Sequence, residues 1–220
     1  MSAPKAYDRY RRWKAGEARE HPLYKEAIDA SVGRSLVLSN KLENLFFLIT
    51  EEMAPLASRD IVEFGAFRGG SALFMAYLLR ALYPEARFFA LDTFTGMPAT
   101  DPNRDLPHRG FQEADLEGFR ARKNELGLDN LLIVPGLIQD TFRTLPVERI
   151  GLAHIDVDIY SAVLFAQEAS WPKVVSGGFL VYDDAEYPTC LGATHAAEEF
   201  KMEHRLLSEQ VWPHWVMRKP

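Results

Sequence analysis

Acidic residues cluster where short apolar runs end, and their types and spacing suggest two kinds of chemistry. The first cluster is Glu63-Phe64-Gly65-Ala66-Phe67-Arg68-Gly69-Gly70-Ser71, an acid followed by a glycine-rich turn that opens a helical stretch. Glycines at such a turn let the backbone approach a ligand closely, but the spacing departs from the G-x-G-x-x-G that seats a pyrophosphate. An acid beside the turn suits a cationic ligand, and S-adenosylmethionine carries both a sulfonium and an ammonium group. Asp92 follows Gly70 by 22 positions, near the offset of about 20 residues at which acids hold the ribose of an adenosine cofactor. The remaining acids are Asp156 and Asp158 in His154-Ile155-Asp156-Val157-Asp158, and the Asp183-Asp184 pair. Two carboxylates about 4 Å apart repel by about 4 kcal/mol at an effective dielectric near 20, so a cation or shifted pKa values are required. Oxygen donors without a Cys/His cluster favour Mg²⁺, Mn²⁺ or Ca²⁺ over zinc.

The elements that must position these groups alternate along the chain. From residue 60 onward, apolar runs at 60–64, 87–92, 131–134, 150–156 and 178–183 alternate with helical stretches at 68–82, 112–126, 139–144, 160–174 and 191–202. That alternation predicts a mainly parallel sheet covered on both faces, with the ligand beyond the carboxyl ends of the strands. Strands near 204–208 and 213–218 are close enough for a closing antiparallel hairpin. Before residue 56, helices are expected at 7–14, 22–32 and 39–53, the last opened by a Ser39 cap. The expected organisation is a helical extension or lid over 1–55 and a ligand-binding domain over 56–220.

Composition narrows the partners. With 25 basic against 31 acidic residues and a net charge of −6, a nucleic-acid substrate is disfavoured, because phosphate binding relies on Lys and Arg. Cys190 is the sole cysteine, so no intrachain disulfide forms, and a cytoplasmic protein is expected. The apolar run at 45–49 is far shorter than the roughly 20 residues a membrane span requires. Cys190 reads as packing. His154, within an apolar strand, reads as a core or supporting histidine. His108, in the Pro- and Gly-rich loop 93–111, is a candidate general base.

Segments 61–71, 91–98, 154–161 and 171–184, taken together and in this order, resemble the macrocin O-methyltransferase family across roughly residues 60–200. The resemblance implies a seven-stranded Rossmann-like class I methyltransferase with an antiparallel C-terminal strand. It implies methyl transfer from S-adenosylmethionine to a hydroxyl of a small molecule, typically a sugar of a natural product, with Mg²⁺ or another divalent cation. Glu63, Gly65, Ala66, Ser71, Asp92, Thr93 and Ile138 would then contact the cofactor, and Asp156, Asp183 and Asp184 would hold the metal. Asp156 or His108 would accept the hydroxyl proton. Two alternatives stay open from the residues alone: a nicotinamide-dependent oxidoreductase, and a non-catalytic cofactor-binding protein. The amphipathic N-terminal helices are also candidates for a contact between copies of the chain.

Overall fold

β1 (Ile61–Phe64) and β4 (Ile150–Ile155) are buried along their whole lengths, as parallel strands covered on both faces must be. The computed structural model describes residues 5–107, 110 and 114–220. With β2 (Phe88–Asp92), β3 (Leu131–Pro135), β5 (Val174–Tyr182), β6 (Ser208–Gln210) and β7 (Trp215–Arg218), these strands form one seven-stranded sheet in the order β3-β2-β1-β4-β5-β7-β6. Strands β1 to β5 are parallel, β7 runs antiparallel to β5, and β6 pairs antiparallel with β7. The chain reverses direction of travel across the sheet between β3 and β4, so the crevice for a ligand opens beyond the carboxyl ends of β1 and β4.

Two apolar layers flank the sheet. On one face lie α3 (Pro22–Ser31), α4 (Ser39–Phe47), α5 (Gly70–Leu82) and α6 (Leu116–Glu125). There Leu45, Phe46, Phe74 and Phe119 pack against Ile61, Leu152 and Phe179. On the other lie α7 (Ile138–Thr141), α8 (Tyr160–Ser170) and α9 (Leu191–Glu203), where Phe142, Val163 and Phe200 meet Val62, Ala153 and Leu180. The N-terminal helices thus share the core of the first face. α1 (Lys5–Lys14) is followed by α2 (Glu17–Glu20). Arg9 of α1, buried, reaches the C-terminal hairpin, bonding Glu209 at 2.8 Å and Gln210 at 3.2 Å. Among the described residues, no helix is long and apolar enough to cross a membrane.

Several boundaries differ from expectation for local reasons. Ser39 does not cap α4; it is the first helical residue, and Leu38 stands at the cap position without a side-chain bond. A π-helical turn, Leu48–Glu52, continues that helix. α6 starts only at Leu116, because the Asp115 side chain accepts the Gly118 N–H and fixes the start there. α8 stops at Ser170, just before Pro172 in the turn Trp171–Lys173, since proline cannot continue the hydrogen-bond ladder. β5 begins four residues before the expected 178, because Gly177 and Gly178 lie inside the strand beside a register shift between Ile150 and Leu152. β6 falls at 208–210, not at 204–208, because α9 runs on through Glu203.

Candidate active site

The carboxyl ends of β1, β2, β4 and β5 open onto a single cavity of about 530 Å³, within the size range of small-molecule sites. Gly65, Ala66, Ser71, Asp92, Thr93, Ile138, Asp156, Asp183 and Asp184 all line it. The sheet order brings them together: residues far apart in sequence sit at the ends of neighbouring parallel strands. His108 lies outside the described residues.

Gly65 shows why this turn needs glycine. Its φ is +91°, and a Cβ there would lie 1.7 Å from the Asp156 carbonyl oxygen. The β1 turn therefore presses directly on the backbone that carries the β4 acid. Asp92 is held by its own surroundings, accepting the Phe67 N–H at 2.8 Å and the Phe94 N–H at 2.7 Å, one on each carboxylate oxygen. Phe67, Phe94 and Asp158 take left-handed backbone conformations with φ of 47°, 55° and 57°. Three such residues at three adjoining strand ends place backbone strain around the cavity.

Glu63 corrects the expectation. Alternation turns it away from the cavity, toward the α4 side of the sheet, where it is fully buried and meets its register partner His154. His154 Nδ1 lies 3.0 Å from Glu63 Oε1, and Nε2 lies 3.8 Å from Asp183 Oδ1, an ion-pair distance. Burial alone would lower the His154 pKa, but Asp183 and Glu63 raise it to about 9. Glu63 supports a histidine behind the site. The same face carries His214, whose Nε2–H donates to Asp183 Oδ1 at 3.0 Å while its Nδ1 accepts from Asn44 at 3.1 Å. Lys41, also from α4 and one turn before Asn44, donates to Asp183 Oδ2 at 3.0 Å and to its carbonyl oxygen.

The cavity acids divide accordingly. Burial would raise Asp183, but His154, His214 and Lys41 hold it well below the usual carboxylate range. Burial, followed by the charges of Asp183 and Asp184, pushes Asp156 well above that range. Asp184 is pushed up by burial and by Asp158 and Asp183, although it accepts the Asp158 N–H at 2.9 Å. Asp158 is raised by burial too, and the Cys190 thiol donates toward it at 3.5 Å. Oxygens of Asp156, Asp183 and Asp184 lie within 4.8 Å of one another. That donor set, all oxygen and short of positive charge at two members, fits a hard divalent cation.

The sequence counts Asp158 among the clustered strand-end acids without a role of its own, and assigns nothing to Lys41 or to the segment Arg34, Ser35, Leu36 and Val37, which also lines the cavity. The D-x-D spacing of Asp156 and Asp158 was a signal for the first, since residues two apart on an extended chain share a face. For the cavity-lining segment before α4 no local signal exists; tertiary packing brings the Ser35 backbone against Gly70, where a Cβ would sit 2.3 Å from it.

The loop after β2 is fastened over the mouth by Asp105. This buried carboxylate accepts the Tyr160 N–H at the start of α8 at 2.8 Å and the Asp101 N–H at 3.0 Å. Arg104 stacks 4.0 Å from the Tyr160 ring centre, and Leu106 and Pro107 reach the cavity. A Cβ on Gly192 would lie 2.1 Å from Asp105 Oδ1. Gly192→Ala is therefore expected to displace the carboxylate, destabilise the fold by about 1–3 kcal/mol as overpacking does, and speed tryptic cleavage after Arg104. Limited proteolysis beside a denaturation curve checks this.

A mainly parallel seven-stranded sheet with this reversed hairpin, and a cavity bounded by a glycine turn and strand-end acids, is the architecture of class I O-methyltransferases. The chain belongs to the family described as Macrocin-O-methyltransferase (TylF), which it matches over residues 5–213. It is 34% identical to the 8-demethyl-8-(2,3-dimethoxy-alpha-L-rhamnosyl)-tetracenomycin-C 4'-O-methyltransferase of Streptomyces olivaceus, over 75% of this chain and 67% of that protein. It is 28% identical to the mycinamicin III 3''-O-methyltransferase of Micromonospora griseorubida, over 82% and 75%. Among solved structures, the O-methyltransferase NovP superposes with a TM-score of 0.71 at 22% identity, covering 81% of this chain and 79% of that one. The calicheamicin methyltransferase CalS11 gives 0.70 at 19%, covering 99% and 94%. The protein is an S-adenosylmethionine-dependent O-methyltransferase, which sets aside the nicotinamide and non-catalytic alternatives.

Proposed function

We propose that the protein methylates a hydroxyl of a sugar carried on a natural product, with a divalent cation held by Asp156, Asp183 and Asp184. The observation that carries this reading is the opening of all three carboxylates, and of Asp158, onto the same cavity as Gly65, Ser71 and Asp92. Support for a sugar comes from the relatives, whose names place the methyl group at a 4' or 3'' oxygen, one of them on a rhamnosyl-tetracenomycin.

On this reading the Gly65–Ala66 turn and Ser71 receive the amino-acid end of S-adenosylmethionine. Asp92 takes the ribose hydroxyls with the lone pairs its two backbone donors leave free, and Ile138 covers the adenine. When bound, the cation supplies Lewis acidity that lowers the pKa of an acceptor hydroxyl and fixes its orientation. Asp158 is the proton acceptor. It lines the cavity, its backbone is fixed by the bond to Asp184, and it stands outside the compact three-oxygen set. Burial of Asp158 raises its basicity, as suits a general base. Residues 93–107, anchored by Asp105, wall the acceptor side, and water exclusion there protects the proton transfer.

The test uses the purified chain, S-adenosylmethionine and a p-nitrophenyl α-L-rhamnoside, with S-adenosylhomocysteine release and product mass as readouts. Methylated rhamnoside is expected, with activity lost on adding EDTA and restored by excess Mg²⁺. Turnover indifferent to EDTA would overturn the cation, and methylation of a catechol with the rhamnoside untouched would overturn the sugar. S-adenosylhomocysteine at about 100 times its Kd should stabilise the fold by about 2.7 kcal/mol, a rise of about 5–10 °C in Tm for a chain of this size.

A further inference from the structure

Lys41 is an unusual neighbour for a cation site. It arrives from α4, on the N-terminal side of the sheet, and is 2% exposed. Its ammonium lies 3.0 Å from Asp183 Oδ2, 2.7 Å from Glu186 Oε1 and 4.2 Å from the centre of the Tyr187 ring. An ammonium is buried only where such partners replace its water. Asp183 and Tyr187 both line the cavity, so the positive charge stands at the wall of the site that the divalent cation is to enter.

We propose that Lys41 is a resident counter-ion of the carboxylate cluster, which stabilises the metal-free site and weakens its affinity for a divalent cation. The inference rests on the cation reading above. Lys41 and the incoming ion draw on the same Asp183 charge, and two cations sharing one carboxylate repel each other in a site of low dielectric. Lys41 is not needed to aim Asp183. His214 still holds Oδ1 at 3.0 Å, and the Asp183 N–H still donates to the Ile155 carbonyl at 2.9 Å. Removing the ammonium therefore removes repulsion while leaving the ligand in place. Glu186 has the opposite influence, because it shares the Lys41 charge; without it, that charge falls wholly on Asp183.

Mn²⁺ titration of the 220-residue chain, followed by electron paramagnetic resonance of the free ion, measures the affinity directly. Lys41→Met is expected to bind Mn²⁺ on the order of tenfold more tightly than the wild type. Lys41→Arg, which keeps the charge, should remain near wild type, and Glu186→Gln should bind several-fold more weakly. Thermal unfolding gives a second readout: metal-free K41M should melt below wild type and gain more from saturating Mn²⁺. Affinity of K41M equal to or below wild type overturns the proposal. If K41M does not fold, E186Q decides, and unchanged or tighter binding there overturns it. A wild-type chain that takes up no Mn²⁺ overturns the cation reading itself, a result distinct from both.

Discussion

Replacing Asp184 by asparagine is expected to lower kcat by about 10³-fold and, in the metal-free protein, to raise stability. The first effect follows from removing one of three charged oxygens around a cation whose Lewis acidity is worth several kcal/mol; about 4 kcal/mol of barrier corresponds to about three orders of magnitude. The second follows from the sign of the pKa shift. Burial, Asp158 and Asp183 raise the folded-state pKa of Asp184, so its favourable contribution exists below the ordinary carboxylate pKa and is lost as pH rises through the raised value. At neutral pH its charge opposes folding unless a cation is present. Asparagine removes the charge and keeps an oxygen to accept the Asp158 N–H, now at 2.9 Å. Asp183→Ala makes the contrast. It also abolishes turnover, but Asp183 is held low by His154, His214 and Lys41 despite its burial, and its loss leaves the buried Lys41 ammonium short of a partner. Breaking a buried pair in this way costs about 3–5 kcal/mol. Steady-state S-adenosylhomocysteine release and denaturant unfolding, each with and without Mg²⁺, separate the two variants. An Asp184→Asn enzyme with wild-type kcat would remove the cation from the reaction.

What the sequence disclosed follows the range of the interactions involved. β1, β2 and β4 were legible because each is a short, mostly apolar run closed by an acid or a glycine, with Glu63 and His154 the polar exceptions inside β1 and β4, and parallel strands leave little else to read. The glycine turn and Asp92 were legible because their spacing is local. Glu63 is an acid near a strand end, which its position in the sequence alone would aim at the ligand, whereas the pleat puts it on the side facing α4 with its partner His154. The polar path behind the site was not legible, since it is assembled across the sheet. Asp183 follows Val181 by two, and His214 precedes Val216 by two. Val181 and Val216 are register partners on the α4 side, so the alternation carries both polar side chains to that face. Lys41 and Asn44 are three apart in sequence and share one helix face, but only the docking of α4 reveals that this face meets Asp183 and His214. Boundary errors had short-range causes, as at Ser170, where the approach of Pro172 ends the helix.

Asp158→Asn is expected to reduce kcat by about 10²–10⁴-fold, the range that general-base catalysis supplies, while Mn²⁺ and S-adenosylhomocysteine still bind. The substitution is conservative for the fold. Asp158 sits at φ 57°, a region that asparagine tolerates as well as aspartate because its short polar side chain can bond locally. The backbone N–H that anchors Asp184 is unchanged by the replacement. What disappears is the capacity of a cavity-lining oxygen to take a proton from the acceptor hydroxyl. Asp156→Asn provides the comparison, because that residue belongs to the compact three-oxygen set and its neutralisation should weaken Mn²⁺ binding together with turnover. Single-turnover rates measured across an Mn²⁺ titration, from sub-saturating to saturating, distinguish the roles. If Asp158→Asn loses activity only in proportion to lost Mn²⁺ affinity, Asp158 is a fourth cation ligand; if the rate falls with affinity intact, the proton leaves through Asp158.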